Sequence, residues 1–130
     1  SFVRRYENTN PFTARALAEK TDGQWVIQNP PARPLSGAEL DRVYSLPYTR
    51  RWHPSYDSAG GVPALSEVEF SLTVSRGCFG GCSFCSLSFH QGRIIQARSR
   101  GSVIDEARAM TQSPGFKGII HDAGGPTAGA

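Results

Sequence analysis

No apolar stretch in this sequence approaches the roughly 18–20 residues that a membrane-spanning helix needs. Nor do the first residues, Ser1-Phe2-Val3-Arg4-Arg5-Tyr6, carry the apolar segment of a secretory signal. Charge is sparse at 19% of residues, with no long run of one sign, and apolar residues reach 38%. That balance excludes a wholly disordered, collagenous or coiled-coil chain and calls for a partly buried core. Methionine occurs once, at Met110, and the chain opens on Ser1 and stops at Ala130 just past a Gly-Gly-Pro turn, so it reads as a fragment of something longer. At 130 residues, net charge +3 and pI near 9.0, it holds one domain or a piece of one.

Cysteine is scarce but concentrated. The three cysteines, Cys78, Cys82 and Cys85, fall within eight residues. A disulfide framework takes an even number and spreads them to close loops between distant elements, so neither condition holds. Adjacent soft ligands in one loop suit a metal ion or an iron–sulfur cluster instead, and a thiol-rich site of that kind implies a reducing compartment such as the cytoplasm.

Along the chain, seven of the nine prolines precede residue 65 and the regular elements there are short. Asn10 as N-cap and Pro11 at the first helical position predict a short helix reaching Lys20, with Phe12, Ala16 and Leu17 on one face. Asp22-Gly23 turns the chain into a brief strand, Gln24-Trp25-Val26-Ile27-Gln28, ended by Asn29-Pro30-Pro31. Ser36 and Glu39 form a capping box for a second helix running to about Tyr44, with Leu35 placed to staple against Leu40. From Leu46 to Ala64 no period is sustained, which predicts a long ordered loop.

The pattern changes at Glu67. Val68, Phe70, Leu72 and Val74 alternate with polar residues up to Ser75, the period-2 signature of a strand, and this strand runs straight into the cysteines. Ser102 and Asp105 signal the start of a helix with Val103, Ile104, Ala107 and Met110 on one face, ending at Ser113-Pro114-Gly115. Phe116 to Ala123 then reads as a short strand closed by Gly124-Gly125-Pro126. Strand, loop, helix and strand make a βαβ unit of an α/β fold, with parallel strands and a right-handed crossover expected.

The cysteine loop reads Arg76-Gly77-Cys78-Phe79-Gly80-Gly81-Cys82-Ser83-Phe84-Cys85, a C-x3-C-x2-C spacing. Three thiolates from one loop can hold three irons of a [4Fe-4S] cluster and leave the fourth open, whereas an electron-transfer ferredoxin normally supplies four. Gly77, Gly80 and Gly81 let the backbone wrap and aim amide N–H groups at cluster sulfur. From Phe70 to Ile104 there is no acidic residue, while Arg76, Arg93, Arg98 and Arg100 lie in that stretch, and positive surroundings favour thiolate and offset an anionic cluster. A zinc knuckle or a redox pair at Cys82 and Cys85 are the alternatives. His90 as a fourth zinc ligand fits no common finger spacing, so it is expected to cap or hydrogen-bond the loop.

C-x3-C-x2-C with Phe84 before the third cysteine, following a strand, resembles the radical S-adenosylmethionine (radical SAM) superfamily. Together with His90-Gln91-Gly92-Arg93-Ile94-Ile95-Gln96 and Gly124-Gly125-Pro126-Thr127-Ala128, the loop looks like that of the YgiQ-type radical SAM family. Asn10-Pro11, Pro30-Pro31, Leu46-Pro47-Tyr48 and His53-Pro54-Ser55-Tyr56 are similar to that family too, so the likeness covers nearly the whole chain. The resemblance implies a radical SAM enzyme built on a partial (β/α) barrel, of which residues 67–130 are the truncated first part and 1–66 a Pro-rich connector with short helices packing on it. It implies a [4Fe-4S] cluster on Cys78, Cys82 and Cys85, whose open iron is chelated by S-adenosylmethionine (AdoMet). Phe84 would line the adenine side, and Gly124, Gly125 and Pro126 would meet the methionyl group. Reductive cleavage of AdoMet would then yield a 5′-deoxyadenosyl radical that abstracts hydrogen from an unknown substrate. Pro126 stands where the broader superfamily often has an acidic residue, although the YgiQ-type pattern shares the proline.

The partners implied are a one-electron donor of flavodoxin or ferredoxin type and the substrate, with no membrane. Arg50-Arg51 and Trp52-His53 lack the sustained basic stripe that nucleic acid binding needs, so these residues are expected to pack. Asp122, beside His121, is expected to be an exposed strand-end carboxylate. A non-catalytic zinc or nucleic-acid binding module is the competing function. Only the first βαβ unit of a barrel that takes about 200 residues would be present, so the isolated chain is not expected to turn over AdoMet efficiently.

Overall fold

In the computed structural model, which describes residues 8–126, Asn10 closes a single turn instead of opening a helix. Its carbonyl accepts from the Thr13 and Ala14 N–H groups, and its side-chain oxygen accepts from Phe12 N–H at 2.9 Å. The chain then enters strand β1 (Leu17–Thr21), which pairs antiparallel with β2 (Gln24–Gln28) in the register Leu17↔Gln28 to Thr21↔Gln24. The predicted helix to Lys20 is therefore replaced by a hairpin arm. An isolated helix of that length is marginal. Asp22 (φ 49°) and Gly23 (φ 80°) instead supply the two left-handed residues of a tight hairpin turn that fixes the ladder. The strand expected at Gln24–Gln28 is present, and its missed partner lay in the residues just before Asp22-Gly23.

Chain packing divides the protein into two compact units, Ser1–Pro34 and Leu35–Ala130. The second unit takes in residues on both sides of position 66. Its first helix, α1 (Gly37–Tyr44), starts as the sequence requires: Ser36 Oγ accepts from Glu39 N–H at 3.3 Å, and Glu39 Oε2 accepts from Ser36 N–H at 2.8 Å. The loop expected from Leu46 to Ala64 contains a 3₁₀ turn over Pro54–Ala59, capped by the His53 ring. Leu65–Val68 forms a single helical turn, α2, where the alternating pattern had placed the beginning of a strand. Val68 is accordingly exposed, and the strand proper is shorter and later.

That strand is β3 (Ser71–Thr73) followed by β4 (Ser75–Arg76), with Val74 bonding on both sides between them. On one edge β3 pairs in parallel with β6 (Asp122–Gly124), in the register Ser71↔Asp122 to Thr73↔Gly124, and Val74 N–H donates to Gly124 O at 2.8 Å. On the other edge β4 pairs antiparallel with β5 (Gln96–Ala97), and Arg98 N–H donates to Val74 O at 3.0 Å. The parallel strands of the expected βαβ unit are thus present. The second strand is confined to residues 122–124, after Gly118 takes φ 86° in the stretch predicted to be extended from Phe116.

Between the parallel strands run α3 (Leu87–Gln91), β5 and α4 (Arg100–Thr111). The cap of α4 is Ser99, whose hydroxyl accepts from Ser102 N–H at 3.2 Å, so the helix begins one turn before the Ser102–Asp105 signal. Three residues of the apolar face read from the sequence pack: Phe70, Leu72 and Met110 form the buried core, with Val103, Ala107, Phe116 and Ile120 against it, whereas Ile104, expected on that face, is exposed. Phe116 meets Phe70 edge-on at 5.2 Å between ring centroids. Among the described residues no helix is long and apolar enough to cross a membrane.

Candidate metal centre

β4 delivers the chain directly into the cysteine loop, and the base of that loop is stitched shut. Gly77 N–H donates to Gln91 Oε1 at 3.1 Å and Cys78 N–H donates to Gly92 O at 3.0 Å. Gly77 has φ 87°, and a Cβ placed there would lie 2.1 Å from Ile94 O, so only glycine allows residues 77 and 94 to approach so closely. Residues 78–91 therefore project as one closed excursion from the sheet. Cys78 is buried at its base, Cys85 is half-buried and Cys82 is exposed.

Cys85 N–H donates to Cys82 O at 3.1 Å, so the C-x2-C pair leaves from the two ends of one tight turn. All three thiols are free, with none spent in a disulfide. A set of three soft sulfur donors fits an iron–sulfur or zinc group by its chemistry. Among the described residues, however, no three His, Cys, Asp or Glu side chains are gathered as a ready ligand set. His90 lies exposed in α3, and the side chain that reaches the loop is its neighbour Gln91. Phe84 occupies the turn between Cys82 and Cys85 and is 90% exposed.

The end of β6 meets the loop's root from the other side. A Cβ on Gly125 would lie 2.3 Å from Ser75 Oγ and 2.7 Å from Ser75 O, so this glycine sits flush on the residue three positions before Cys78. Gly124 is half-buried beside it, Pro126 is buried, and Thr127 and Ala128 lie outside the described residues. Gly124-Gly125-Pro126 and the cysteine strand are thereby brought together, as the motif spacing alone did not reveal. His121 and Asp122 enter β6 exposed, in keeping with the bland expectation for that carboxylate.

Of the four arginines in the acid-free stretch, Arg98 is not part of a positive surface. Its side chain is fully buried, ion-paired with Glu106 and stacked on the Tyr44 ring at 4.1 Å, while Arg50 holds the other oxygen of Glu106. Arg76, Arg93 and Arg100 are exposed. Arg51 stacks on Trp52 at 5.2 Å and Trp52 Nε1 donates to Asp57 at 2.7 Å, so the aromatic–basic cluster there packs on itself. A cavity of about 830 Å³ lies between α1, residues 45–51 and α4, is lined by Tyr44, Tyr48, Arg50 and Glu106 among others, and has no cysteine in its lining.

Residues 1–71 match the family described as Radical SAM N-terminal. A UPF0313 protein of Clostridium botulinum (strain 657 / Type Ba4) is 52% identical over 124 residues, covering 95% of this chain and 19% of the relative. A UPF0313 protein of Clostridium perfringens (strain 13 / Type A) is 50% identical over 127 residues, covering 98% and 19% respectively. The chain thus spans about a fifth of the length of these relatives. No solved structure matches it.

Proposed function

Because this chain belongs to the Radical SAM N-terminal family, in its YgiQ-type UPF0313 branch, we propose that it is the opening part of a radical AdoMet enzyme. In this reading Cys78, Cys82 and Cys85 hold a [4Fe-4S] cluster that leaves one iron for AdoMet. Residues 67–130 begin the (β/α) barrel core, and residues 1–66 form the connector before it. The observation that carries the proposal is the shared root of two motifs: the strand that launches the cysteine loop is the strand on which Gly124 and Gly125 are seated. Ligand sites in parallel α/β architectures gather at the carboxyl ends of strands, where both motifs emerge.

When bound, the cluster and AdoMet supply one-electron cleavage of a carbon–sulfur bond and the organic radical that follows. The chain's own residues bind and orient. Cys78, buried at the closed base, anchors one corner, and Cys82 and Cys85 offer two more from a single turn. Phe84, on that turn, presents an open ring face to the adenine of AdoMet. Gly124 and Gly125 present backbone without side chains to its methionyl end, and Pro126 closes the strand behind them. The electron donor would be a flavodoxin- or ferredoxin-like protein, the compartment a reducing one such as the cytoplasm, and the substrate a molecule that gives up a hydrogen atom.

Anaerobic reconstitution of the full-length protein tests this reading. About four irons with matching acid-labile sulfide per chain are expected, and none of either after Cys78→Ala. Zinc without sulfide would replace the enzymatic account with a metal-binding module. Salt-sensitive RNA or DNA binding that survives the loss of all three cysteines would replace it with a nucleic-acid module.

A further inference from the structure

Arg98 spends every N–H of its guanidinium inside the protein. Nε donates to Ser102 Oγ at 3.1 Å, and one terminal nitrogen donates to Ser102 O at 3.0 Å and Ser102 Oγ at 2.9 Å. The other terminal nitrogen donates to Thr73 O at 2.9 Å and to Glu106. Its backbone N–H donates to Val74 O at 3.0 Å. The same two residues, Thr73 and Val74, are held from the opposite edge by Gly124: Thr73 pairs with it in the ladder, and Val74 N–H bonds its carbonyl. One residue further on, Gly125 lies against Ser75. Arg98 therefore grips one edge of the peptide whose other edge seats the glycines.

A buried ion pair is a poor device for stability, since well-packed apolar groups of the same volume often do as well or better. Its planar fork is a good device for fixing geometry. Ser102 and Glu106 tie the fork to α4, and the Tyr44 ring ties it to α1. We propose that Arg98 is a positioning residue: it sets the cysteine strand against Gly124 and Gly125, and so fixes the distance between the loop's thiols and the methionyl end of AdoMet. This role rests on the radical AdoMet function proposed above. Lysine cannot replace it, because a single ammonium cannot reach Thr73 O, Glu106 and both Ser102 oxygens from one side-chain position.

The test uses full-length protein carrying Arg98→Lys or Ser102→Ala, reconstituted anaerobically, with iron and sulfide counted and the EPR signal of the reduced cluster titrated with AdoMet. Both variants are expected to keep the cluster and its signal without AdoMet. The AdoMet concentration for half-maximal spectral change should rise about 10- to 100-fold in Arg98→Lys, the range found for residues that orient ligands from behind, and by a smaller factor in Ser102→Ala. Arg98→Lys titrating like the unmutated protein would overturn the proposal. Should Arg98→Lys fail to fold, Ser102→Ala decides: weaker AdoMet binding supports the role, and unchanged binding overturns it. If the unmutated protein shows no cluster or no AdoMet response, the radical AdoMet function falls and this role with it, whereas a normal response there with normal variants sinks the role of Arg98 alone.

Discussion

Gly77 and Gly81 look alike in the sequence, two glycines of one loop, yet they should respond oppositely to alanine. At Gly77 an alanine meets a left-handed backbone, φ 87°, which costs roughly 1–2 kcal/mol for a residue with a Cβ. Its Cβ would also lie 2.1 Å from Ile94 O and 2.8 Å from the Ile94 carbonyl carbon, an overlap no side-chain motion can relieve because both atoms are backbone. Overpacking of that kind costs about 1–3 kcal/mol. Relief by withdrawal sacrifices the bonds from Gly77 to Gln91 and from Cys78 to Gly92, about 0.5–1.5 kcal/mol each. The backbone strain, together with either the overlap or the lost bonds, opens the base of the loop by about 2–5 kcal/mol. Hydrogen exchange on the full-length protein, read on a peptide containing Cys78, should therefore accelerate by about 30- to 5,000-fold in Gly77→Ala. At Gly81 a Cβ meets nothing within 4 Å and the backbone is not left-handed, so Gly81→Ala should exchange as the unmutated protein does. Exchange within threefold of the unmutated protein in Gly77→Ala, or equal acceleration in both variants, would refute the closed-base geometry.

Three further outcomes are expected. Met110 is fully buried against Phe70 and Leu72, so Met110→Ala should destabilise the unit by about 2–5 kcal/mol in denaturant titration, whereas Ile104→Ala, on the exposed side of the same helix, should cost far less. Glu39 is held below the ordinary carboxylate range by the Ser36 hydroxyl and backbone N–H, and Asp41 by the Ser99 hydroxyl and backbone N–H. Both groups are depressed in the folded state, so their contribution is present above about pH 4.5 and is lost as pH falls through the folded values. Ser36→Ala should flatten the part of that acid dependence due to Glu39, measured by thermal unfolding from pH 6 down to pH 3. Arg50→Met removes one partner of Glu106 and leaves the other, so it should loosen residues 45–51 to proteolysis without releasing Arg98 from Thr73.

How much of this was legible in the sequence depended on whether a signal was local. The capping box at Ser36 and Glu39 was readable because both partners lie within one turn, and Val103, Ala107 and Met110 of α4 were readable because 3.6-residue spacing selects the residues that reach Phe70 and Leu72, although Ile104, placed with them, lies at the edge of that face and is exposed. Asn10-Pro11 misled because a sound helix start was followed by a turn, Asp22-Gly23, that rewards the preceding five residues for pairing as a strand. Val68 alternated with its neighbours as a strand residue would, but Val62, Pro63 and Ala64 accept the backbone bonds that make Leu65–Val68 helical.

The candidate site divides in the same way. The spacing of Cys78, Cys82 and Cys85 is a local pattern and identified the loop, and the turn between Cys82 and Cys85 follows from the two residues separating them. Gln91 closing the loop on Gly77, Gly125 lying on Ser75, and Arg98 paired with Glu106 and Thr73 join residues brought together only by the parallel pairing and the packing of α4. In the linear sequence Arg98 was one of four arginines in an acid-free stretch. Its partner Glu106 lies just beyond that stretch, so its charge looked uncompensated.

The central claim is that the loop provides sulfur for all but one corner of a cluster and leaves that corner to AdoMet. Electron paramagnetic resonance of the reduced, anaerobically reconstituted full-length protein, recorded with and without AdoMet, addresses it most directly. A [4Fe-4S] signal that shifts when AdoMet is added is the predicted result. A cluster signal indifferent to AdoMet, or the absence of any cluster signal in protein that has taken up metal, would contradict it.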